Sequence, residues 1–253
     1  LGETERAMQA ADLALSKDSG LVWGHINRGL ALVAQLDLQN AKEAFCHALD
    51  LESDHPEAHW NLSLLYLLRG YFSEGWVEYE WRWRGPLRDS FREFGSVLWL
   101  GEGLLEGKRL LVSCEQGFGD FIQFCRYLPM LSRMAGEVVV EVYGPLRRLM
   151  MTLEGEYRWV LSGERLPEVD FHVPLMSLPL AFGTVLETIP GETPYLGVLP
   201  EVRSFWRDRL GARGRARVGL VWSGSSAFKN DRMRSLEFAA VEGLLGEACE
   251  FHC

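Results

Sequence analysis

The chain has 253 residues, 47% of them hydrophobic, and is therefore long enough to bury one large core or two smaller ones. Its 35 acidic residues outnumber its 26 lysines and arginines, and the formal net charge of -9 disfavours nonspecific binding to nucleic acid. The longest apolar runs, such as residues 62–68, are too short to cross a bilayer, and no targeting segment opens the chain. Five scattered cysteines with no CxxC pair indicate reduced thiols, without a disulfide framework or a zinc site. We therefore expect a cytoplasmic protein without a membrane span.

The first third of the chain repeats with a period of 34 residues. The pairs that align at this spacing are Gly29 with Ser63, Leu32 with Tyr66, Ala41 with Gly75, and Phe45 with Tyr79. One period earlier, alanines occupy the small-residue positions of a preceding helix, so residues 3–16 form half a repeat. Each helix pair has an apolar stripe that it buries only against its neighbours, which predicts a stack of helical hairpins.

The repeated pattern resembles the tetratricopeptide repeat. The residues that carry this resemblance are Gly29, Ala41, Phe45, Ala48, Asn61, Leu62, Tyr66, Gly70, Tyr71 and Tyr79. The resemblance implies about two and a half repeats over residues 1–84, with a concave surface that captures a partner. The alternative is that the repeats are a spacer that only holds the next domain. Arg82 replaces a small residue of the family pattern, which suits a terminal repeat that packs on another domain.

Aromatic residues are dense where the repeats end. Trp76, Tyr79 and Trp83 have the spacing of one helical face, so we interpret them as a core between the repeats and the next domain. The alternative is a platform for stacking bases or sugars. Gly85 and Pro86 then end the helix, and residues 85–107 form a predicted linker.

After the linker, short apolar runs alternate with helical stretches, which is typical of a parallel sheet with crossover helices. The predicted strands are 109–114, 137–143, 159–162, 171–173 and 218–222. They contain few charges, as expected for strands buried on both faces. The predicted fold class is therefore α followed by α/β, with an open sheet over residues 108–200.

Ligands of such sheets bind at the carboxyl ends of the strands, so the loops there are candidate sites. The loop of Glu115, Gln116, Gly117 and Gly119 precedes a predicted helix 121–131, and its glycines allow a tight turn suited to an anion or a hydroxylated ligand. Asp120 is placed to cap that helix. The loop is too short for a dinucleotide fingerprint, and no P-loop lysine follows.

Two later loops are also candidates. His172 lies where a strand ends between an acid and a hydroxyl, and the alternative is a locally satisfied turn. Hydroxyls, a glycine and three bases follow the last predicted strand, a composition that suits a diphosphate. These residues are Ser223, Gly224, Ser225, Lys229, Asn230, Arg232, Arg234 and Ser235. A solvated loop is the alternative.

The order of these segments resembles a family of bacterial repeat-fused glycosyltransferases, similar to heptosyltransferases and to O-linked N-acetylglucosamine transferases. The motifs that carry it are Trp99 to Gly101, Glu115 to Phe124, Arg126 to Pro129, Asp170 to Pro179, Pro194 to Leu196 and Val218 to Ser235. The resemblance implies a GT-B fold, with an acceptor-side Rossmann-like domain at 108–200 and a nucleotide-sugar domain that starts at 201–253. It also implies transfer without a cofactor or a metal.

By the same resemblance, Asp120 is the candidate base, because Gly119 and Asp120 match the family's Gly-Asp pair. His172 orients the acceptor, and Lys229, Arg232 and Arg234 stabilise the departing nucleoside diphosphate. The implied reaction moves a hexosyl or heptosyl unit from a nucleotide sugar to a hydroxyl of a protein or glycan acceptor recruited by the repeats.

We expect the sequence to be cut at both ends, because Leu1 stands first and a GT-B second domain needs roughly a hundred further residues after Cys253. The 253 residues alone are therefore expected to be inactive. The alternative function is a noncatalytic scaffold that binds a protein through its repeats. A Rossmann-type oxidoreductase fits less well, since the third glycine and a ribose-binding acid are missing.

Overall fold

The computed structural model describes residues 2–212, 214–224, 231, 234–246 and 248–253. These residues form two compact units, Leu1–Gly197 and Val198–Cys253. The first unit contains a helical region followed by a parallel sheet, so the predicted combination of α and α/β structure is confirmed. Among the described residues, no helix has the length and apolarity needed to span a lipid bilayer.

Five helices make up the helical region. They are α1 (Gly2–Lys17), α2 (Val22–Ala34), α3 (Leu38–Leu51), α4 (Pro56–Leu68) and α5 (Phe72–Tyr79). The starts of α2 and α4 lie 34 residues apart (56 minus 22), and so do those of α3 and α5 (72 minus 38), which confirms the period. A Cβ on Gly29 would lie 2.4 Å from the Phe45 ring, so the absence of a side chain there lets α2 and α3 approach closely.

The turns between these helices follow from the same period. Gly70 adopts φ +79° after α4, and Leu36, one period earlier, adopts φ +63° after α2. A leucine in this left-handed region is strained, whereas glycine adopts it freely. Asp37 then caps α3 by accepting a hydrogen bond from the Asn40 N–H at 3.3 Å.

The sheet has five parallel strands in the order β1-β5-β2-β3-β4. They are β1 (Val97–Leu98), β2 (Arg109–Ser113), β3 (Glu137–Val142), β4 (Arg158–Leu161) and β5 (Phe171–Pro174). Four of them match predicted strands to within one residue at each end. Strand β1 was not predicted, because two residues carry no periodic signal, and it lies inside the predicted linker.

The helices between the strands are short: α6 (Phe118–Phe124), α7 (Leu128–Ser132), α8 (Arg147–Met150) and α9 (Leu178–Ala181). The single helix predicted for residues 121–131 was wrong, since a 3₁₀ turn at Cys125–Tyr127 separates α6 from α7. Pro129 explains the break, because its nitrogen has no hydrogen to continue the helical ladder.

The two faces of the sheet are covered unequally. Alternate residues such as Val112 and Val140 face the larger core, which also contains Phe121 and Leu128. The opposite face carries a smaller cluster of Leu111, Val139 and Val160, against which Phe94, Leu166 and Val169 pack. This thinner face, near its carboxyl edge, is where the candidate cavity described below lies.

The second unit contains α10 (Pro200–Leu210), β6 (Ala216–Gly219), α11 (Phe238–Glu242) and β7 (Cys249–His252). Strands β6 and β7 are parallel. The strand predicted at 218–222 was displaced, because the pairing with β7 starts at Ala216 and its last registered pair is Gly219 with His252.

A buried arginine joins the helical region to the sheet. Arg82, fully buried in a 3₁₀ turn at Glu80–Trp83, donates to both oxygens of Glu115 at 3.0 Å each. It also donates to Glu80 at 2.7 Å, to the Tyr79 carbonyl at 3.1 Å and to Ser177 at 2.7 Å. Burial opposes the guanidinium charge, but Glu115 and Glu80 outweigh it and raise the pKa of Arg82. This network packs the end of the helical region against the sheet within the first unit.

The aromatic residues at the end of the helical region do not all lie on one face. Trp76 and Tyr79 pack on the sheet core, with Trp76 in edge contact with Phe124 at 6.0 Å, as the core interpretation predicts. Helix α5 ends at Tyr79, so the prediction that Trp83 shares its face was wrong. The tighter 3₁₀ turn rotates Trp83 away from that face, and it lines the cavity instead.

The Arg82→Met variant tests the contribution of this network to stability. It leaves the carboxylates of Glu115 and Glu80 without their main partner, so we expect the free energy of unfolding to fall by about 3–5 kcal/mol. Ser177→Ala, which removes only a hydroxyl from the network, should cost about 1 kcal/mol. Urea denaturation monitored by circular dichroism gives both values.

Arg88→Met is the matched control, because Arg88 is 73% exposed and forms an ion pair with Asp89, which is also exposed. Its effect should stay within about 0.5 kcal/mol. Equal unfolding midpoints for Arg82→Met and Arg88→Met would contradict the role assigned to the network.

Candidate functional site

A cavity of about 400 Å³ lies at the carboxyl edge of the sheet. The sheet contributes residues at or just after the ends of four strands: Ser113, Cys114, Glu115, Gln116, Tyr143, Ser162, His172 and Pro174. Parallel strands end on the same edge, which is why residues distant in sequence meet there. Strand order also reverses at this point, because the neighbours of β2 are β3 on one side and β5 on the other.

The remaining wall comes from the segment that runs from Trp83, at the end of the 3₁₀ turn, through β1, which we call the roof segment (residues 83–98). It contributes Trp83, Leu87, Ser90, Phe91, Arg92, Phe94 and Leu98. Trp83 and Phe91 are in edge contact, with ring centroids 5.8 Å apart. Phe94 packs against His172 at 4.9 Å. The predicted linker therefore forms part of the cavity wall.

An ion pair ties the roof segment to the sheet. Glu141 is 1% exposed in β3, and both of its oxygens accept hydrogen bonds from Arg92. The Cys114 N–H also donates to Glu141 at 3.2 Å. Burial would raise the pKa of Glu141, but the hydrogen bonds and charge of Arg92 prevail and hold it below its ordinary value. Sequence reasoning missed this pair, although a lone acid inside an apolar strand was a signal for it.

Glu115, which was predicted as a residue of the ligand-binding loop, is buried and accepts hydrogen bonds that hold the fold together. Its Oε1 accepts from Arg82 and from the Met176 N–H at 2.9 Å, and its Oε2 accepts from Arg82. Gln116 follows in the left-handed region at φ +58°. Its side chain donates to the Tyr79 hydroxyl at 2.8 Å, and its carbonyl accepts from the Tyr143 hydroxyl at 2.8 Å.

Both tyrosines remain protonated near neutral pH. Burial, the largest cause in each case, raises the pKa of Tyr79 to about 12 and that of Tyr143 above its ordinary value. Cys114 behaves in the same way, because burial raises the pKa of its thiol to about 11. The thiol of Cys114 at the cavity wall is therefore protonated near neutral pH.

The predicted catalytic acid lies at the start of α6. The carboxylate of Asp120 accepts a hydrogen bond from the Gly117 N–H at 2.9 Å, which makes it a helix cap. Asp120 is partly exposed, and Gly119 beside it is exposed. Among the described residues that line the cavity, Asp120, Gly117 and Gly119 are absent, whereas Glu115, Gln116 and His172 are present.

His172 is half-buried in β5, with its Nδ1 3.0 Å from the Ser96 hydroxyl. Burial lowers the pKa of His172, which favours the neutral imidazole. The structure thus brings His172 and the Glu115–Gln116 loop to one cavity, as the parallel topology predicts.

Half of the predicted diphosphate loop lies outside the described residues, namely Ser225, Lys229, Asn230 and Arg232. In the described half, Asp231 organises the contacts. It accepts from Ser235 at 2.8 Å and from Arg234 at 3.0 Å, and Ser235 accepts from the Gly224 N–H at 2.9 Å. Ser223 is exposed beside them. The hydrogen bond from Ser235 and then Arg234 lower the pKa of Asp231, a residue that was not predicted as part of the site.

Within the described part of the chain, no group of three or more His, Cys, Asp or Glu side chains has an arrangement that suits a metal ion.

The Arg92→Met variant tests the ion pair under the roof segment. It leaves Glu141 buried without a counter-charge, so we expect the free energy of unfolding at pH 7 to fall by about 2 kcal/mol. A fully buried pair would lose more, but 42% of the Arg92 side chain is in solvent. Because the pKa of Glu141 is depressed in the folded state, the stabilisation is present above the ordinary pKa of glutamate and is lost as pH falls through the folded-state value. The difference in free energy of unfolding between the unsubstituted chain and Arg92→Met, which we call the stability gap, should therefore become smaller in acid.

Urea denaturation at several pH values measures this gap. Arg158→Met is the control, because Arg158 pairs with Glu137 on the same sheet at 3.7 Å and is 54% exposed. Its cost should be below about 1 kcal/mol. A gap for Arg92→Met that widens in acid would contradict the assignment.

No protein-family model matches the chain. Protein FlbA of Caulobacter vibrioides is 33% identical over 128 residues, which cover 48% of this chain and 20% of FlbA. A mutant O-GlcNAc transferase of Thermobaculum terrenum has a TM-score of 0.30 and 20% identity, covering 56% of this chain and 28% of that one. The chain thus spans about a fifth of the length of the curated relative it matches.

Proposed function

We propose that the sheet of the first unit is the acceptor-side domain of a glycosyltransferase. The reaction would transfer a sugar from a nucleotide-activated donor to a hydroxyl of a protein or glycan. The observation that carries the proposal is the position of Asp120, a partly exposed carboxylate in the first turn of α6, the helix that follows β2 where the strand order reverses. Ligands of open α/β sheets bind at such points. The resemblance of this loop and of the later segments to repeat-fused glycosyltransferases supports the same reading.

In the proposed reaction, the acceptor oxygen forms a bond to the anomeric carbon of the donor sugar. The bond from that carbon to the diphosphate breaks, and the diphosphate leaves with the electron pair. Asp120 takes the proton of the acceptor hydroxyl as general base. The hydrogen bond from Gly117 orients one of its oxygens, and partial exposure leaves the carboxylate open to an acceptor.

On the donor side, the proposal assigns the diphosphate to the loop of the second unit. Arg234 belongs to the described part of this loop, and Lys229 and Arg232 lie outside it. Cations placed where negative charge develops would stabilise the leaving group without a metal ion. The repeats would recruit the protein or glycan acceptor.

The second candidate function is a noncatalytic interaction scaffold. A groove of about 540 Å³ between α1 and α2 favours it, because the groove is lined by the exposed apolar side chains of Trp23 and Leu30. Exposed apolar surface of this kind is typical of protein-binding sites. In this case the sheet would only support the repeats.

The Asp120→Asn variant separates the two functions. Asparagine keeps an oxygen that can accept from Gly117, so the cap and the stability are retained while the base is lost. The assay uses the full natural protein that contains these residues, and the unsubstituted form is called the parent protein. For Asp120→Asn we expect the rate of nucleoside diphosphate release to fall about 10²- to 10⁴-fold below that of the parent protein. The assay supplies a panel of nucleotide sugars together with candidate protein and glycan acceptors.

Asp37→Asn is the matched control, since Asp37 is another capping carboxylate but lies among the repeats. Its release rate should equal that of the parent protein. A rate for Asp120→Asn within twofold of the parent would exclude Asp120 as the base. A folded parent that releases no diphosphate with any donor would favour the scaffold.

A further inference from the structure

We propose that the cavity under the roof segment binds one neutral, hydroxyl-rich ring, such as a saccharide unit of the acceptor, and rejects charged analogues. This inference rests on the proposed function, because it names the class of ligand that the acceptor side would hold. The cavity volume of about 400 Å³ is within the range of small-molecule sites, about 300–1,000 Å³.

The charges of the wall point to a neutral ligand. Arg92 and Glu115 are the charged side chains that line the cavity within the described part of the chain. Arg92 is held by both oxygens of Glu141, and Glu115 by two nitrogens of Arg82. An ionised ligand would lose its hydration on entry and would have to displace one of these pairs to gain a counter-charge.

The polar groups of the wall match hydroxyl groups. Ser90, Ser113 and Ser162 contribute hydroxyls, each of which can both donate and accept a hydrogen bond. Gln116 uses its amide nitrogen for Tyr79, which leaves its amide oxygen to accept. His172 uses Nδ1 for Ser96, which leaves Nε2 for a ligand. A ring with several hydroxyls can satisfy these groups from different directions.

Aromatic rings form the rest of the wall. Trp83, Phe91 and Phe94 come from the roof segment, and Tyr143 comes from the end of β3. Flat apolar surfaces of this kind suit the C–H faces of a sugar ring, while a few polar groups fix its orientation. The sequence pattern favoured a core for the tryptophans of this region, yet the structure places Trp83 at a ligand-sized cavity.

The inference can be tested by equilibrium binding to the 253-residue chain without a donor. The probes are neutral methyl glycosides of glucose, galactose and N-acetylglucosamine, and the charged analogues are glucuronate, glucosamine and glucose 6-phosphate. Ligand-observed NMR detects binding even when it is weak. We expect neutral rings to bind and each charged analogue to bind at least about tenfold more weakly than its neutral parent, a difference of about 1.4 kcal/mol.

Two variants place the ligand in the cavity. Phe91→Ala removes a ring that is 53% exposed, so folding should tolerate it, and His172→Phe removes Nε2 while keeping a ring against Phe94. Each should weaken binding about three- to tenfold. Phe205→Ala is the matched control, because Phe205 is 58% exposed and lies in the second unit. The Phe205→Ala variant should bind the neutral glycosides with the same affinity as the unsubstituted chain.

The possible outcomes separate this inference from the proposed function. Tighter binding of a charged analogue, no binding by the folded chain, or binding that ignores both cavity variants would each overturn the inference. Neutral binding that depends on Phe91 and His172, in a protein that transfers no sugar, would support the inference and overturn only the proposed function. Transfer that persists unchanged in both cavity variants would leave the proposed function standing and overturn the inference.

Discussion

The structure of the first unit depends on the burial of Arg82. A guanidinium group has five N–H donors, and the contacts of Arg82 engage its three nitrogens with Glu115, Glu80, Ser177 and the Tyr79 carbonyl. Removing this charge from water is costly, and only the complete set of partners offsets the cost. One residue thereby fixes the last turn of the helical region, the loop after β2 and the loop after β5 against each other.

The cavity is a consequence of this junction. Because Arg82 holds Glu115, the next residue, Gln116, is fixed in a left-handed conformation between Tyr79 and Tyr143. Because Arg82 also fixes the 3₁₀ turn, the roof segment leaves the repeats in one direction and crosses the sheet edge. Arg92 then pins that segment to Glu141. The helical region and the sheet therefore both position the walls of the cavity.

Sequence patterns predicted those parts of the fold that depend on local periodicity. The 34-residue spacing predicted the helix pairs, and continuous apolar runs predicted β2 to β5. Strand β1 was not predicted, because a two-residue strand is too short to show an alternating pattern in the sequence. The pairing of Arg92 with Glu141 joins residues 49 apart in the chain, and no local pattern specifies such a partner. For the site, sequence reasoning identified His172 and the loop after β2 but missed the roof segment, whose position depends on the buried Arg82.

The distribution of charge constrains any reaction that the protein performs. At the cavity, Arg92 forms an ion pair with Glu141. Behind the cavity wall, Arg82 forms ion pairs with Glu115 and Glu80. A diphosphate carries at least two negative charges and needs cations that are not already neutralised by buried carboxylates. The cavity is therefore suited to the neutral partner of a transfer reaction, and the charged partner requires a different set of groups. In the loop of the second unit, Arg234 is also paired, with Asp231 at 3.0 Å. Asp231 is 20% exposed and also accepts a hydrogen bond from Ser235, so separating this pair leaves no fully buried, unpartnered carboxylate, in contrast to Glu141.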